Sequence, residues 1–203
     1  MRVAPPRRAL DYGERPDPAA GIFETLLVQG RTVARYNAHR ERMNASAQAL
    51  YGVAPAAVTP PQVHRGDGAL RLTFVPGVGL SVHERALLGD PVVRGFATFE
   101  LPGGLGPHKW ADRRLLDALT QAADGALVLL IDTDGAVLEA SWASVLIEER
   151  GRLISPLADG RWRPGFGRQR LRYDEEPVDL DRLLAADAVV LTSALRVVRL
   201  AQR

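Results

Sequence analysis

A chain of 203 residues, 46% of them hydrophobic, is long enough to bury a sizeable core, and with no cysteine it has neither a disulfide framework nor thiolate chemistry. No apolar run approaches the ~20 residues of a bilayer span, and the arginines of the opening MRVAPPRRAL precede no apolar stretch like that of a signal peptide, so a cytoplasmic protein that does not enter membranes is expected. The formal net charge is only +2 because 24 acids are interleaved with 26 basic residues, whereas a nucleic-acid surface gathers its positive charge on one face with aromatics among it.

In chain order, GIFETLLVQGRTVARY (21–36) predicts a β-hairpin turning at Gln29-Gly30. NAHRERMNASAQALYG (37–52) predicts a helix: Asn37 can cap its start, Met43, Ala47 and Leu50 recur on one face, and Gly52 is placed to end it. Residues 53–68, with three prolines and two glycines, read as a loop. Strands are expected at ALRLTFV (69–75), GLSVHER (79–85) and VRGFATFEL (93–101). PGGLGP (102–107) reads as a linker, dividing the chain into a small α/β lobe, 1–101, and a larger C-terminal lobe, 108–203. WADRRLLDALTQAAD (110–124) predicts a helix with Leu115, Leu116 and Leu119 on its apolar side. GALVLLID (125–132), a Thr-Asp-Gly turn and GAVLEASWASVLIEE (135–149) predict strands, with an Arg-Gly turn before RLISPL (152–157). RPGFGRQRLRY (163–173) reads as a loop opening a short helix, and DAVVLTSALRVVRL (187–200) as two strands about a tight connection. The expected class is α+β, with mixed sheets in two lobes.

Among the 26 basic residues Lys109 is the only lysine. Guanidinium replaces ammonium wherever a charge or a fork suffices, but it cannot lose its proton and attack a carbonyl. A chain that uses arginine almost everywhere keeps a lysine where amine chemistry is required. Other motifs carry less. DTDG (132–135) lacks the later ligands of a calcium loop and reads as a turn, and His39, His64, His83 and His108 have no metal-ligand spacing. GFG (165–167) lacks the rest of a nucleotide-binding glycine pattern.

Four features do form a set. Lys109 suits an aldehyde. Glu139, in an otherwise apolar strand, needs a cationic partner such as a pyridinium nitrogen. PGFG (164–167) can offer backbone N–H groups to a phosphate, and Arg42 can reach one with its fork. These are the needs of pyridoxal 5'-phosphate (PLP).

The order of these pieces resembles the class IV aminotransferases, the PLP enzymes that include branched-chain and D-amino-acid aminotransferases and 4-amino-4-deoxychorismate lyase. GIFETLLV resembles the family's Phe-Glu-Thr strand, HRERMNASA its His-x-x-Arg helix, and LEASWASVLI its Glu-x-x-x-x-Asn strand. RPGFGRQRL resembles Leu-Pro-Gly-Ile-Thr-Arg, and LTSALRVVRL the closing phosphate-binding segment. The resemblance implies a two-lobed, D-amino-acid-aminotransferase-like α+β fold and a homodimer acting on a small amino substrate. It implies that Lys109 is the Schiff-base lysine and Glu139 the acid at the pyridine nitrogen. Arg42, the amides of Phe166 and Gly167, and Ser193 would hold the phosphate; Thr25 and Arg113 would meet substrate. KWADR (109–113) and TSAL (192–195) are similar to the lyase branch, which releases 4-aminobenzoate and pyruvate in folate biosynthesis. The same residues would serve a branched-chain or D-amino-acid aminotransferase, or a homologue that binds PLP without turnover. Ser144 stands where the family has Asn and Gly167 where it has Thr, and the chain is short for the family around 53–68.

Overall fold

A computed structural model describes residues 2–3, 5–53, 55, 59–64 and 66–201. Its strands and helices are β1 (Arg2–Val3), β2 (Arg7–Arg8), β3 (Ile22–Gln29), β4 (Thr32–Val33), α1 (Tyr36–Tyr51), β5 (Gly68–Val75), β6 (Gly79–Arg85) and β7 (Gly95–Glu100). There follow α2 (Arg114–Ala122), β8 (Leu127–Ile131), β9 (Val137–Ala140), β10 (Ser144–Glu149), β11 (Arg152–Ser155), β12 (Asp174–Glu175), α3 (Leu180–Ala185), β13 (Ala188–Thr192) and β14 (Val197–Ala201). They form two compact units: a smaller one of 16–89 and 108–113, and a larger one of 1–15, 90–107 and 114–203. Among the described residues no helix is long and apolar enough to cross a membrane.

In the smaller unit a sheet of order β4-β3-β5-β6 is antiparallel throughout. Its period of two sends Ile22, Leu26 and Val28 of β3, and Leu70, Leu72 and Phe74 of β5, to one face. There they bury against Tyr36, Met43 and Ala47 of α1. The hairpin turn falls at Gly30-Arg31, both at positive φ, one residue later than Gln29-Gly30, because such a two-residue turn needs both central residues left-handed. α1 starts one residue before Asn37. Arg35, in the left-handed conformation, is its N-cap with no side-chain cap bond, because the hairpin ladder still holds Ala34 and the chain must reverse within one residue. Gly52 ends α1 as expected, left-handed and donating to the Gln48 carbonyl. The described residues of 53–67 carry no helix or strand, while 54, 56–58 and 65 of the expected loop lie outside the described residues.

The segment 108–113 belongs to this unit. Phe23 N–H donates to the Lys109 carbonyl at 2.8 Å, Ala111 N–H to the Gly21 carbonyl at 2.9 Å, and Trp110 bridges Ile22 as an antiparallel partner. Main-chain groups committed across strands cannot also close helical turns. The helix expected from Trp110 therefore begins at Arg114.

The larger unit holds two sheets. In the first, of order β1-β7-β8-β9, β2 also lies along β7, and all pairings are parallel except β8 with β9. The second has the order β12-β11-β10-β13-β14. One face of the first sheet packs Phe99, Leu130 and Leu138 on Leu115, Leu116 and Leu119 of α2. Its other face packs Phe96, Leu129 and Ile131 on Val145, Ile147, Val189 and Leu191 of the second sheet. A strand covered on both faces is a continuous apolar run rather than an alternating one, as LVLLI of β8 is.

β7, which the sequence groups with the N-terminal strands, pairs instead with β8 in this unit. The expected linker 102–107 lies within the same unit, where Gly104 N–H donates to Leu101 and Gly106 N–H to the Arg161 carbonyl. DTDG is a turn whose Asp132 and Asp134 both bind Arg161. The mixed-sheet α+β class is confirmed, and α3 is an element the sequence reading missed; its cap, Asp179, accepts from Arg182 N–H at 2.7 Å.

Candidate active site

The smaller unit carries Thr25, Arg42, Lys109 and Arg113, and the larger carries Glu139, Phe166, Gly167 and Ser193. Lys109 is set by its neighbours in sequence. His108 places Nδ1 3.1 Å from Ser46 Oγ on α1 and meets the Trp110 ring edge-on at 5.3 Å between centroids. Trp110 packs on the core of the same unit. With the lysine's main chain bound to β3, its Nζ lies 4.7 Å from the centre of the Phe23 ring. The Arg71 guanidinium lies 3.8 Å from the same ring. Phe23, Thr25 and Arg71 point to the sheet face opposite α1, and Thr25, Arg71 and His83 form a row across β3, β5 and β6. Burial lowers the pKa of Arg71, and the like charges of Arg85 and Arg113 lower it further. Positive charge is thus concentrated beside the lysine.

On the opposite face Arg42 is joined to Glu24, with Nε to Oε1 and Nη2 to Oε2 both at 2.7 Å. His39 Nδ1 lies 2.7 Å from the same Oε2. Burial lowers the His39 pKa; Glu24 opposes the shift, and the charges of Arg42 and Lys109 reinforce it. The sequence singled out Arg42 as a candidate, but not Glu24 and His39, which the structure brings to it. The legible sign was an acid sharing its strand face with Ile22, Leu26 and Val28.

In the larger unit Glu139 is half-buried on β9, opposite Leu130 and flanked by buried Leu138 and Ala140, where the register slips by a bulge. Five residues on, Ser144 opens β10, and its Oγ accepts from Gly165 N–H at 2.9 Å. Gly165 caps the short 3-10 helix Phe166–Arg170. Ser144 pairs in register with Thr192, and Gly167 lies so close to the end of β13 that a methyl group there would overlap Thr192 Oγ1 and the Ser193 carbonyl. Gly167 and Ser193 are therefore neighbours. Ser193 closes the β13–β14 turn, its N–H donating to the Arg196 carbonyl at 2.9 Å and its Oγ accepting from Leu195 N–H at 3.3 Å. The Thr192 hydroxyl is fully buried with no hydrogen-bond partner among the described residues. Ser144 thus ties the Pro-Gly loop to the strand that follows Glu139.

Residues 109–202 match the family profile described as "Amino-transferase class IV". Among curated proteins no match is found. A hypothetical aminotransferase from Mycobacterium tuberculosis, in its alpha-ketoglutarate and PMP bound form, superposes with a TM-score of 0.73 at 22% identity, covering 90% of this chain and 80% of that one. A Legionella pneumophila protein provisionally named 4-amino-4-deoxychorismate lyase gives 0.73 at 20%, covering 98% and 89%. A Mesorhizobium loti protein provisionally named amino-acid aminotransferase gives 0.72 at 23%, covering 88% and 97%; against that neighbour the chain is not short. Residues 109–202 thus resemble the class IV aminotransferases in sequence, and over most of its length the chain has the fold of these neighbours.

Proposed function

We propose that the chain is a cytoplasmic, PLP-dependent lyase that converts 4-amino-4-deoxychorismate to 4-aminobenzoate and pyruvate. The observation that carries this reading is Lys109: the one lysine of the chain opens the family match, and its carbonyl is bound by Phe23 N–H of β3. The residues present fit PLP, since Gly167 brings the main chain of the Pro-Gly loop against Thr192 and Ser193, and loop amides beside hydroxyl-bearing residues suit a phosphate. When bound, the cofactor supplies an electron sink for charge developing on the substrate. Lys109 holds the cofactor and then, as a free amine, moves the proton at the substrate carbon that bears the amino group. Glu139 keeps a proton on the pyridine nitrogen. Arg42, Ser193 and the amides of Phe166 and Gly167 bind phosphate. Thr25 and Arg113 meet substrate on the face where Arg71 and Arg85 add positive charge, which favours a carboxylate-bearing amino compound.

The lyase branch is preferred on KWADR (109–113) and TSAL (192–195). Transamination is the second reading, favoured by the Mycobacterium and Mesorhizobium neighbours. The test is to reconstitute the protein with PLP, look for a visible absorbance band that borohydride removes, and assay 4-aminobenzoate release beside amino and keto acid pairs. Band and 4-aminobenzoate together are expected. A band with transamination alone selects the second reading, a band with no turnover a binding protein, and no band removes PLP.

A further inference from the structure

Glu24 is the charged member of an apolar row. Ile22, Leu26 and Val28 occupy the same face of β3, and Glu24 is 2% exposed among them. A carboxylate so placed costs several kcal/mol unless its oxygens are fully met. Here the Nε–Nη2 edge of Arg42 meets both oxygens, and His39 Nδ1 meets Oε2 again. His39 and Arg42 stand three residues apart on α1 and so project from one side of it toward the strand.

A guanidinium offers its donors along more than one edge, and its plane on a flexible stem has no preferred direction of its own. With the Nε–Nη2 edge bound to a fixed carboxylate, the plane of the guanidinium is set. The Arg42 side chain is 21% exposed, while that of Glu24 is 3%, so the carboxylate holds the guanidinium from the buried side.

We propose that Glu24 is a positioning residue, which fixes the plane of the Arg42 guanidinium in the orientation that binds the cofactor's phosphate. This rests on the reading of Arg42 as a phosphate ligand. Glu24 touches neither cofactor nor substrate and acts only through Arg42, with His39 completing its shell.

The test compares binding of PLP and of pyridoxal, which lacks the phosphate, to the wild type, Glu24→Gln, Arg42→Ala and the double variant. Glu24→Gln is expected to weaken PLP about tenfold, on the scale of coupling between contacting residues, and to leave pyridoxal binding unchanged. The double variant is expected to bind PLP no more weakly than Arg42→Ala alone. If Glu24→Gln is poorly folded, Glu24→Asp, which keeps the charge but withdraws it by one methylene, should show the same selective loss. An Arg42→Ala loss of PLP affinity with none in either Glu24 variant overturns the proposal. So do losses that add in the double variant, or that fall equally on pyridoxal, as a merely structural role would give. An Arg42→Ala variant that binds PLP like the wild type overturns the phosphate reading and the proposal together.

Discussion

At Lys109 the difference between an amine and a guanidinium can be measured directly. Lys109→Arg keeps the charge near the Phe23 ring, so the fold and melting temperature should change little, while the PLP absorbance band and all turnover disappear. Normal turnover in that variant would end the enzyme reading. Asp132 allows a test of stability at a single carboxyl. Burial pushes its pKa up, but the Gly103 N–H, the Arg161 guanidinium and the Thr133 N–H outweigh that and hold it at about 2, below the ordinary 3.8. A carboxyl lowered on folding contributes stability that is complete above its unfolded value and is lost as pH falls through its folded one. Asp132→Asn should therefore cost about 2 kcal/mol near neutral pH, the scale of a hydrogen bond to a charged group. The difference in melting temperature from the wild type should shrink between pH 3.8 and about 2. A difference that stays constant to the lower end would remove the carboxylate as its source. His39 follows the same sign from the basic side: its depressed pKa makes the folded state resist a proton that the unfolded chain accepts, so its contribution falls away as pH drops below 6.5.

At the level of elements, the informative pieces are those where local pattern and long-range pairing disagree. WADRRLLDALTQAAD has a good apolar stripe from Leu115 onward, but its first four residues obey β3 and the adjoining turn rather than α2. The loop 164–173 shows the reverse, a weak local pattern held by neighbours: Ser144 binds Gly165, and β13 crowds Gly167. Gly167→Ala should push the loop away from β13, weakening PLP at least tenfold and costing roughly 1–3 kcal/mol, as overpacking does. Titration with PLP and thermal melting check both, and a Gly167→Ala variant with unchanged affinity would move the phosphate elsewhere. Gly165→Ala would press on the Ser144 hydroxyl at 2.9 Å and meet the Thr192 carbonyl at an ordinary 3.7 Å, and should be milder.

For the whole molecule, we propose a homodimer. β6 is an edge strand of its sheet, Val82 on it is exposed, and Val78, Leu88 and Val92 are each at least 80% exposed. A small unit buries a limited share of its surface alone, and a self-complementary contact would cover such residues. Light scattering of the PLP-loaded protein across a dilution series should give twice the chain mass, with cofactor retention falling as the dimer dissociates. A mass of one chain in the active state would refute it.

From the sequence by itself the strands of 21–36, 69–85, 125–157 and 187–200 and the helix ending at Gly52 were legible, and Lys109 stood out as a candidate. Alternation, helical period and turn residues are local, and the lysine stood out because its chemistry cannot be done by the arginines around it. Only the tertiary structure decided that β7 joins β8, that residues 108–113 go with β3, and that Glu24 is met by Arg42 and His39. A hydrophobic pattern tells a strand which face to bury, but not which distant edge will satisfy its N–H and C=O groups, since every backbone offers the same ones. In the same way a buried acid announces that it needs a partner, and only the packed chain determines which cation lies within 3 Å of it.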